Sequence, residues 1–203
     1  MTKTGSPPLT RRWKPWKGNV MSDAMVCPWW LAYTFDHPLR KRFHRAERIF
    51  GPHVRPGATV YDLGCGMGFN TLGLARLVGP TGHVIAVDVQ ERMLQVLMKR
   101  AVKASLDDRI SCLTAEPDRL GLDTPADFSM AFWMLHETPD PPGFIEEVSN
   151  HLLRGGRLMI VEPKFHVSKK LFRETIGLCR SLGLNTLDEP QVRLSRAVVL
   201  QKD

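Results

Sequence analysis

The chain has 203 residues, 43% of them hydrophobic and 24% charged, which is ordinary for a globular domain. This length allows one sizeable hydrophobic core and is too short for two ordinary domains. No apolar run approaches the roughly 20 residues that cross a bilayer, and the first residues lack the apolar segment of a secretory signal, so we expect neither a transmembrane segment nor export.

Positive charge is concentrated near the N-terminus. The formal net charge is +7, and residues 1–50 carry all of it, because residues 51–203 hold 18 basic and 18 acidic side chains. The cysteines are widely scattered and form no Cys-x-x-Cys pair, which argues against a zinc site or a disulfide framework. We therefore predict no bound metal and a cytoplasmic location. The four cysteines are Cys27, Cys65, Cys112 and Cys179.

Residues 1–50 differ in composition from the rest of the chain. Residues 1–20 contain Pro, Ser, Thr and Lys but little aliphatic content, which predicts a disordered basic tail. Residues 21–50 predict an N-terminal segment with an aromatic cluster followed by an amphipathic helix that has a basic face. Residues 51–203 form the predicted nucleotide-binding domain.

The rest of the chain alternates predicted strands with helices. Strands that read as continuous apolar runs between helices indicate a parallel sheet covered on both faces. We predict an α/β fold, a doubly wound and mostly parallel seven-stranded sheet with helices on both faces. The predicted strands are ATVYDLG, HVIAVDV, RISCLTA, DFSMAFWM, RLMIVEP, LNTLDEP and RLSRAVVL. The predicted helices between them are FNTLGLARLVGPTG, QERMLQVLMKRAVKAS, PPGFIEEVSNHLL (with Gly155 and Gly156 after its end) and SKKLFRETIGLCRSLG.

A glycine-rich turn follows the first of these strands. In VYDLGCGMG, Gly64, Gly66 and Gly68 occupy alternate positions, as in loops that let a backbone approach a nucleotide. The sixth positions counted from Gly64 and from Gly66 are not glycine, so the dinucleotide-binding spacing is absent, and no Gly-Lys-Ser/Thr of a P-loop follows. Asp88 ends the next predicted strand, where a carboxylate accepts hydrogen bonds from ribose hydroxyls. The pattern predicts a nucleoside without a 2′-phosphate.

Four fragments in chain order carry a family resemblance. Between about Val54 and Pro163 the chain resembles the class I S-adenosylmethionine-dependent methyltransferases, and is most similar to the small-molecule (type 11) group that includes ubiquinone and menaquinone biosynthesis enzymes. The resemblance implies a Rossmann-like methyltransferase fold, S-adenosyl-L-methionine as cofactor and methyl transfer to a small-molecule acceptor by in-line displacement. The fragments are VYDLGCGMG, VIAVDVQERML, LTAEPDRLGL and AFWMLHETPDPPGFIEEVSNHLLRGGRLMIVEP.

The resemblance also assigns roles to individual residues at the cofactor site. Gly64 and Gly66, in the loop with Gly68, would let the backbone approach the methionine part of the cofactor, and Asp62 would help to hold its amino group. The remaining residues would contact the adenosine part: Asp88 through the ribose, Val89 and Met93 by packing on the adenine, and Glu116 by accepting a hydrogen bond from the adenine amine.

His136 follows the fourth predicted strand, at the edge where this fold binds ligands. An imidazole with an ordinary pKa of about 6.5 suits a general base, so His136 is the candidate catalytic residue. The alternative is a histidine that fixes the loop through a backbone hydrogen bond. Glu137, Glu162 and His166 also fall near strand ends. Without tight ligand spacing we interpret them as solvated loop residues and not as metal ligands.

The N-terminal segment supplies the candidate acceptor contacts. Its aromatic cluster, Trp29, Trp30, Tyr33 and Phe35, is expected to cap the cleft and bind the substrate. The acceptor is left open among a quinone precursor, another aromatic or lipid-like metabolite and a metalloid thiol adduct, and so is the oligomeric state.

Two other classes of protein remain as alternatives. The basic N-terminus allows an RNA-modifying methyltransferase. A non-catalytic cofactor-binding protein is the third possibility, because a fold alone does not fix a function.

Overall fold

The computed structural model of the protein describes residues 44–116 and 118–203. The predicted disordered tail over residues 1–20 lies outside the described residues, as do the aromatic cluster at Trp29, Trp30, Tyr33 and Phe35 and most of the predicted amphipathic helix. These expectations therefore stay predictions.

The described residues contain five α-helices and seven strands. Across residues 44–116 and 118–203, no helix is both long enough and apolar enough to cross a membrane. The helices are α1 (Ala46–Phe50), α2 (Thr71–Val78), α3 (Glu91–Lys103), α4 (Pro141–His151) and α5 (Lys169–Ser181). The strands are β1 (Thr59–Leu63), β2 (His83–Asp88), β3 (Ile110–Thr114), β4 (Ala126–Phe132), β5 (Leu152–Pro163), β6 (Leu184–Asp188) and β7 (Ser195–Lys202).

The seven strands form one sheet in the order β3-β2-β1-β4-β5-β7-β6. The strands from β1 to β5 pair in parallel, and β7 lies antiparallel to both β5 and β6. From β1 the chain adds β2 and β3 on one side of the sheet and then crosses to the other side of β1 to add β4 and β5. The direction in which strands are added therefore reverses between β1 and β4. In such sheets the ligand binds outside the carboxyl ends of the strands at this reversal. The predicted fold class is confirmed.

Helices cover both faces of the sheet. Alternate residues of each strand point to opposite sides, so each strand contributes apolar side chains to two cores. Val60 of β1 packs in one cluster with Phe50, Leu74 and Leu97, which come from α1, α2 and α3. The next residue, Tyr61, packs on the other side, in a cluster with buried residues of α4 and α5. These two cores pack against the sheet from its two sides and so position the strand ends.

The start of β5 differs from the prediction. The sequence places Gly155 and Gly156 in the connection after α4, but β5 begins at Leu152, directly after the helix, so both glycines lie inside the strand. The pairing with β4 shifts register there, and the extra residues form a bulge. Gly155 has φ +73°, a conformation that favours glycine. The prediction that Gly155 and Gly156 lie in a connection after the helix is therefore wrong, because they form a bulge in β5.

Candidate active site

A cleft of about 360 Å³ opens at the carboxyl ends of β1, β2, β4 and β5. The glycine loop after β1 and the segments that follow β2 and β3 form one half of it, which we call the cofactor half. The segments that follow β4 and β5 form the other half, which we call the acceptor half. The sequence-predicted residues that line the cleft are Gly64, Gly66, Asp88, Val89, Met93, Glu116 and His136.

The glycine loop and Asp88 hold each other in place. One carboxylate oxygen of Asp88 accepts a hydrogen bond from the backbone N–H of Gly66 (2.8 Å), and the other accepts one from the N–H of Gln90 (2.9 Å). Gly66 has φ +53°, and a Cβ added there would meet no atom within 4 Å. The loop therefore presents bare backbone to open space, which gives a ligand room to approach closely.

Asp62 and Gly68 lie behind the cleft wall. Asp62 is buried and accepts a hydrogen bond of 2.6 Å from the hydroxyl of Thr71, the first residue of α2. A Cβ on Gly68 would lie 2.7 Å from Cγ of the buried Leu97, so this glycine allows the loop to pack on α3. Asp62 and Gly68 therefore stabilise the glycine loop from the side that faces the protein interior. Their predicted contacts with the cofactor stay predictions.

The adenosine side of the cleft combines apolar and acidic side chains. Met93 is buried, whereas Val89 is 40% exposed, and both face the cleft together with Glu116. Glu147 of α4 was not predicted from the sequence. Its carboxylate accepts hydrogen bonds from the backbone N–H groups of Leu120 and Leu122, both at 3.0 Å, and so fixes the loop that follows Glu116.

The charges in the cleft distinguish between nucleotide cofactors. Among the described residues, six carboxylates and a single arginine line it: Asp88, Glu116, Asp118, Glu137, Asp140, Glu147 and Arg119. A dinucleotide pyrophosphate would meet these carboxylates, and Asp88 already accepts the hydrogen bond of the Gly66 amide. S-adenosyl-L-methionine has no phosphate and carries a positive sulfonium and ammonium. The residues therefore fit this cofactor, since opposite charges attract in a low-dielectric cleft.

Burial raises the pKa of the Asp88 carboxyl above its ordinary value, because the charged form loses solvation. The two backbone N–H groups that bind it act in the opposite direction and favour the carboxylate. The cost of burying this charge is thus partly offset by the same hydrogen bonds that shape the glycine loop.

His136 and Glu162 form a hydrogen-bonded pair in the acceptor half. Nδ1 of His136 lies 2.5 Å from one carboxylate oxygen of Glu162, and the other oxygen accepts the backbone N–H of Leu135 at 3.1 Å. Glu162 is only 2% exposed, so its interpretation as a solvated loop residue is wrong. Within the described ranges, no group of three His, Cys, Asp or Glu side chains is arranged to hold a metal ion.

The pair sets the protonation of the imidazole. Burial lowers the pKa of His136, but the hydrogen bond and charge of Glu162, together with the charge of Glu137, outweigh burial and raise it above its ordinary value. Because Glu162 accepts from Nδ1–H, the neutral imidazole carries its lone pair on Nε2. The imidazole lines the cleft and has His166 beside Nε2. This is the tautomer that a general base requires.

Two aromatic side chains, Trp133 and Phe165, line the cleft together with His136, and we call them the aromatic wall. Trp133 has φ +60°, a strained conformation for a bulky residue. Its backbone N–H donates to the carbonyl of Val161 (2.7 Å) and its indole N–H donates to the hydroxyl of Ser195 (2.9 Å). Phe165, which is 60% exposed, lies edge-on to the Trp133 ring at 5.9 Å, and the ring of His44 lies edge-on to Trp133 at 5.4 Å.

Sequence reasoning missed Trp133 and Phe165. A usable signal exists, because Trp133 follows directly on the carboxyl end of β4 and Phe165 is the second residue after the carboxyl end of β5. In a parallel sheet these positions are where ligand contacts arise.

The fold is that of a doubly wound α/β protein with a ligand cleft at the carboxyl ends of its strands, and comparison with known proteins identifies the family. A family model described as a methyltransferase domain matches residues 55–186. The chain is 33% identical over 127 residues to the ubiquinone/menaquinone biosynthesis C-methyltransferase of Hahella chejuensis, a match that covers 62% of this chain and 49% of that protein. It is 32% identical over 123 residues to the demethylmenaquinone methyltransferase of Symbiobacterium thermophilum, with 60% and 49% covered. The chain thus spans about half the length of the curated relatives it matches.

Among solved structures, the SAM-dependent methyltransferase from Aquifex aeolicus superimposes with a TM-score of 0.75 at 25% sequence identity, over 84% of this chain and 96% of that chain. The chain belongs to the class I S-adenosylmethionine-dependent methyltransferases. Its cofactor is S-adenosyl-L-methionine. The predicted family and cofactor are confirmed.

Proposed function

We propose that this chain methylates a small, flat and apolar acceptor whose reacting group loses a proton during the transfer. The observation that carries the proposal is the pair formed by His136 and Glu162, which lies beside an aromatic wall in the same cleft as the glycine loop. The bound cofactor supplies an activated methyl group on its sulfonium sulfur. The protein then has to orient the acceptor and accept its proton.

His136 is the proposed base. Nε2 accepts the proton of the acceptor, while Glu162 keeps the opposite edge of the ring fixed and stabilises the imidazolium that forms. The Glu162 carboxylate is itself fixed by a buried hydrogen bond from the Leu135 amide, so the ring cannot turn away without breaking its own hydrogen bond to Glu162. This arrangement favours a hydroxyl or an acidic carbon as the acceptor group.

Trp133 and Phe165 define the shape of the acceptor. Aromatic side chains supply much of the contact area in ligand pockets and favour flat, apolar partners. Relatives of this chain are named for ubiquinone and menaquinone biosynthesis. A reduced quinone ring has the flat shape and the weakly acidic hydroxyl that this half of the cleft accommodates. We therefore propose a quinol-like aromatic as the substrate class.

The N-terminal segment is proposed to complete the acceptor half. The described part of the chain begins at His44, whose ring lies edge-on to Trp133 and whose Nε2 lies 3.0 Å from the carbonyl of Arg193. Eight residues separate Phe35 from His44, a length that reaches at most about 30 Å when extended. A connection of this length would allow the aromatic cluster at Trp29, Trp30, Tyr33 and Phe35 to reach the wall that it is proposed to cap.

We also propose a cytoplasmic location. None of the three cysteines in the described ranges is paired in a disulfide, as is typical of a reducing compartment.

RNA is not favoured as the acceptor. The six carboxylates that line the cleft would repel a phosphate backbone, whereas RNA-binding surfaces are basic. The proposal of a non-catalytic protein would leave the His136 and Glu162 pair without a role.

The proposal is tested by incubating the full chain with methyl-labelled S-adenosyl-L-methionine and chemically reduced demethylmenaquinone, followed by mass spectrometry of the extracted lipid. We expect a product heavier by one labelled methyl group. The matched control is His83→Gln, a histidine at the opposite end of β2 that should leave the yield unchanged. Label recovered only in added tRNA or rRNA would contradict the proposal.

A further inference from the structure

A second imidazole faces the first. Nδ1 of His166 lies 3.4 Å from Nε2 of His136, and the two rings stand edge to face with their centroids 5.4 Å apart. The His136 side chain is 17% exposed, whereas His166 is exposed to solvent. Together with Glu162, the two imidazoles form a continuous row from a buried carboxylate to the protein surface.

We propose that His166 is the proton-accepting partner of His136 and carries the proton released by the acceptor out to solvent. This inference rests on the proposed function, since it takes His136 as the base. His166 acts through His136 and need not contact the acceptor itself.

The transfer balances at each step. The X–H bond of the acceptor breaks and its electron pair would form the bond to the methyl group, while the methyl–sulfur bond would break and leave its electron pair on the sulfur as a neutral thioether. The proton bonds to Nε2 of His136. The imidazolium then donates this proton to Nδ1 of His166, and Nε2 of His166 releases a proton to water. Rotation of the exposed ring, or exchange with water, restores the starting tautomer. One proton leaves for each methyl group transferred.

The surroundings of His136 make such a partner useful. The titratable groups that face it are Glu162 from β5, Glu137 from its own loop and His166 from the segment after β5. The two carboxylates favour the charged imidazolium, so a protonated His136 would be slow to return to the neutral form by itself. An exposed imidazole with its Nδ1 3.4 Å from Nε2 provides an exit for the proton.

The first test needs no acceptor. In the full chain with 15N-labelled histidine, NMR at a pH where His136 is neutral should show a proton on Nδ1 and none on Nε2. His166→Ala removes the group that accepts from the imidazolium, so the pKa of His136 should fall by about half a unit, the size of a typical net hydrogen bond. The control His83→Gln should leave it unchanged. An unaltered titration of His136 in His166→Ala overturns the proposal.

The second test measures turnover of reduced demethylmenaquinone at pH 7 in dilute buffer. Wild type should be insensitive to added imidazole, whereas His166→Ala should lose turnover and recover it as the imidazole concentration rises. A merely structural role would not produce this dependence. A loss that imidazole does not restore, or no loss at all, contradicts the proton-exit role. If wild type itself transfers no methyl group, the proposed function fails, and the NMR titration still decides whether the two imidazoles share a proton.

Discussion

In the cofactor half of the cleft, the geometry is made mostly by backbone: a glycine loop with positive φ angles, tied to one carboxylate at the end of the next strand. In the acceptor half it is made by side chains that come from separate parts of the chain, such as His136 with Glu162 and Trp133 with Ser195. We therefore expect the cofactor half to bind one constant ligand, and the acceptor half to change its ligand through single substitutions. The two halves should respond differently to mutation.

The largest effect is expected in the acceptor half. His136→Ala should lower turnover by about 10²–10⁴-fold, because the acceptor proton has no base, and should hardly change the affinity for S-adenosyl-L-methionine. Turnover is measured with labelled cofactor and affinity by calorimetry. Wild-type turnover in this variant would leave His136 as a structural loop residue. A parallel loss of cofactor affinity would break the division into two halves.

The cofactor half should show the reverse pattern. Asp88→Ala should weaken S-adenosyl-L-methionine binding by about 1.5–3 kcal/mol, because a charged hydrogen-bond acceptor is lost and two backbone N–H groups are left without it. Asp118→Ala is the matched control, since it removes an exposed carboxylate from the same cleft and tests general electrostatics alone. Equal losses in both variants would show that net charge, and not the position of Asp88, determines binding.

Two glycines of one loop provide a sharper test. Gly68→Ala should lower the free energy of unfolding by about 1–3 kcal/mol, because φ is +82° and the new Cβ meets Leu97. Gly66→Ala meets no atom, so it should cost only about 1–2 kcal/mol of backbone strain, yet reduce cofactor affinity by placing a methyl group in the approach to the loop.

Urea unfolding measures the loss of stability in both glycine variants, and calorimetry measures the loss of cofactor affinity. We expect Gly68→Ala to lose more stability and Gly66→Ala to lose more affinity. If Gly68→Ala lost more cofactor affinity than Gly66→Ala at equal stability, the assignment of Gly68 to packing would be wrong.

The smallest expected effect is on the pH dependence of stability. The pKa of His136 is raised in the folded protein, so its contribution to stability is complete below the unfolded value of about 6.5 and is lost as the pH rises through the folded pKa. Between pH 6 and 8, wild type should therefore lose more free energy of unfolding than His136→Gln. Parallel curves would mean that the Glu162 pair does not hold a proton on the folded protein.

The sequence was informative where the structure depends on local spacing. Gly64, Gly66 and Asp88 are separated by a single helical connection, and their residue types follow from backbone conformation and from the charge of the ligand. The pair of His136 and Glu162 is different, because 26 residues separate its members and their contact depends on β4 and β5 being neighbours. Both residues lie near strand ends in the sequence, but the sequence carries no sheet order that would place them together.

Trp133 was harder still to predict. Its left-handed backbone conformation is held in part by a hydroxyl 62 residues away, on a strand that reaches the site only because β7 inserts between β5 and β6. No local sequence pattern around Trp133 predicts its contact with Ser195. Glu162 was interpreted as solvated for the same reason, since its burial comes from residues that the sheet brings to it.

The segment between β6 and β7 passes directly behind the aromatic wall. Its Arg193 carbonyl lies 3.0 Å from His44 Nε2, its Leu194 carbonyl accepts the backbone N–H of Lys164, and Ser195 at its end holds the Trp133 indole. In the sheet, β4 and β5 lie between this hairpin and β1, the strand that leads into the glycine loop. If the acceptor binds against this wall, as proposed, we expect that lengthening or exchanging residues 189–194 changes acceptor selectivity and leaves cofactor recognition intact. This turn is then the place to introduce a new substrate preference.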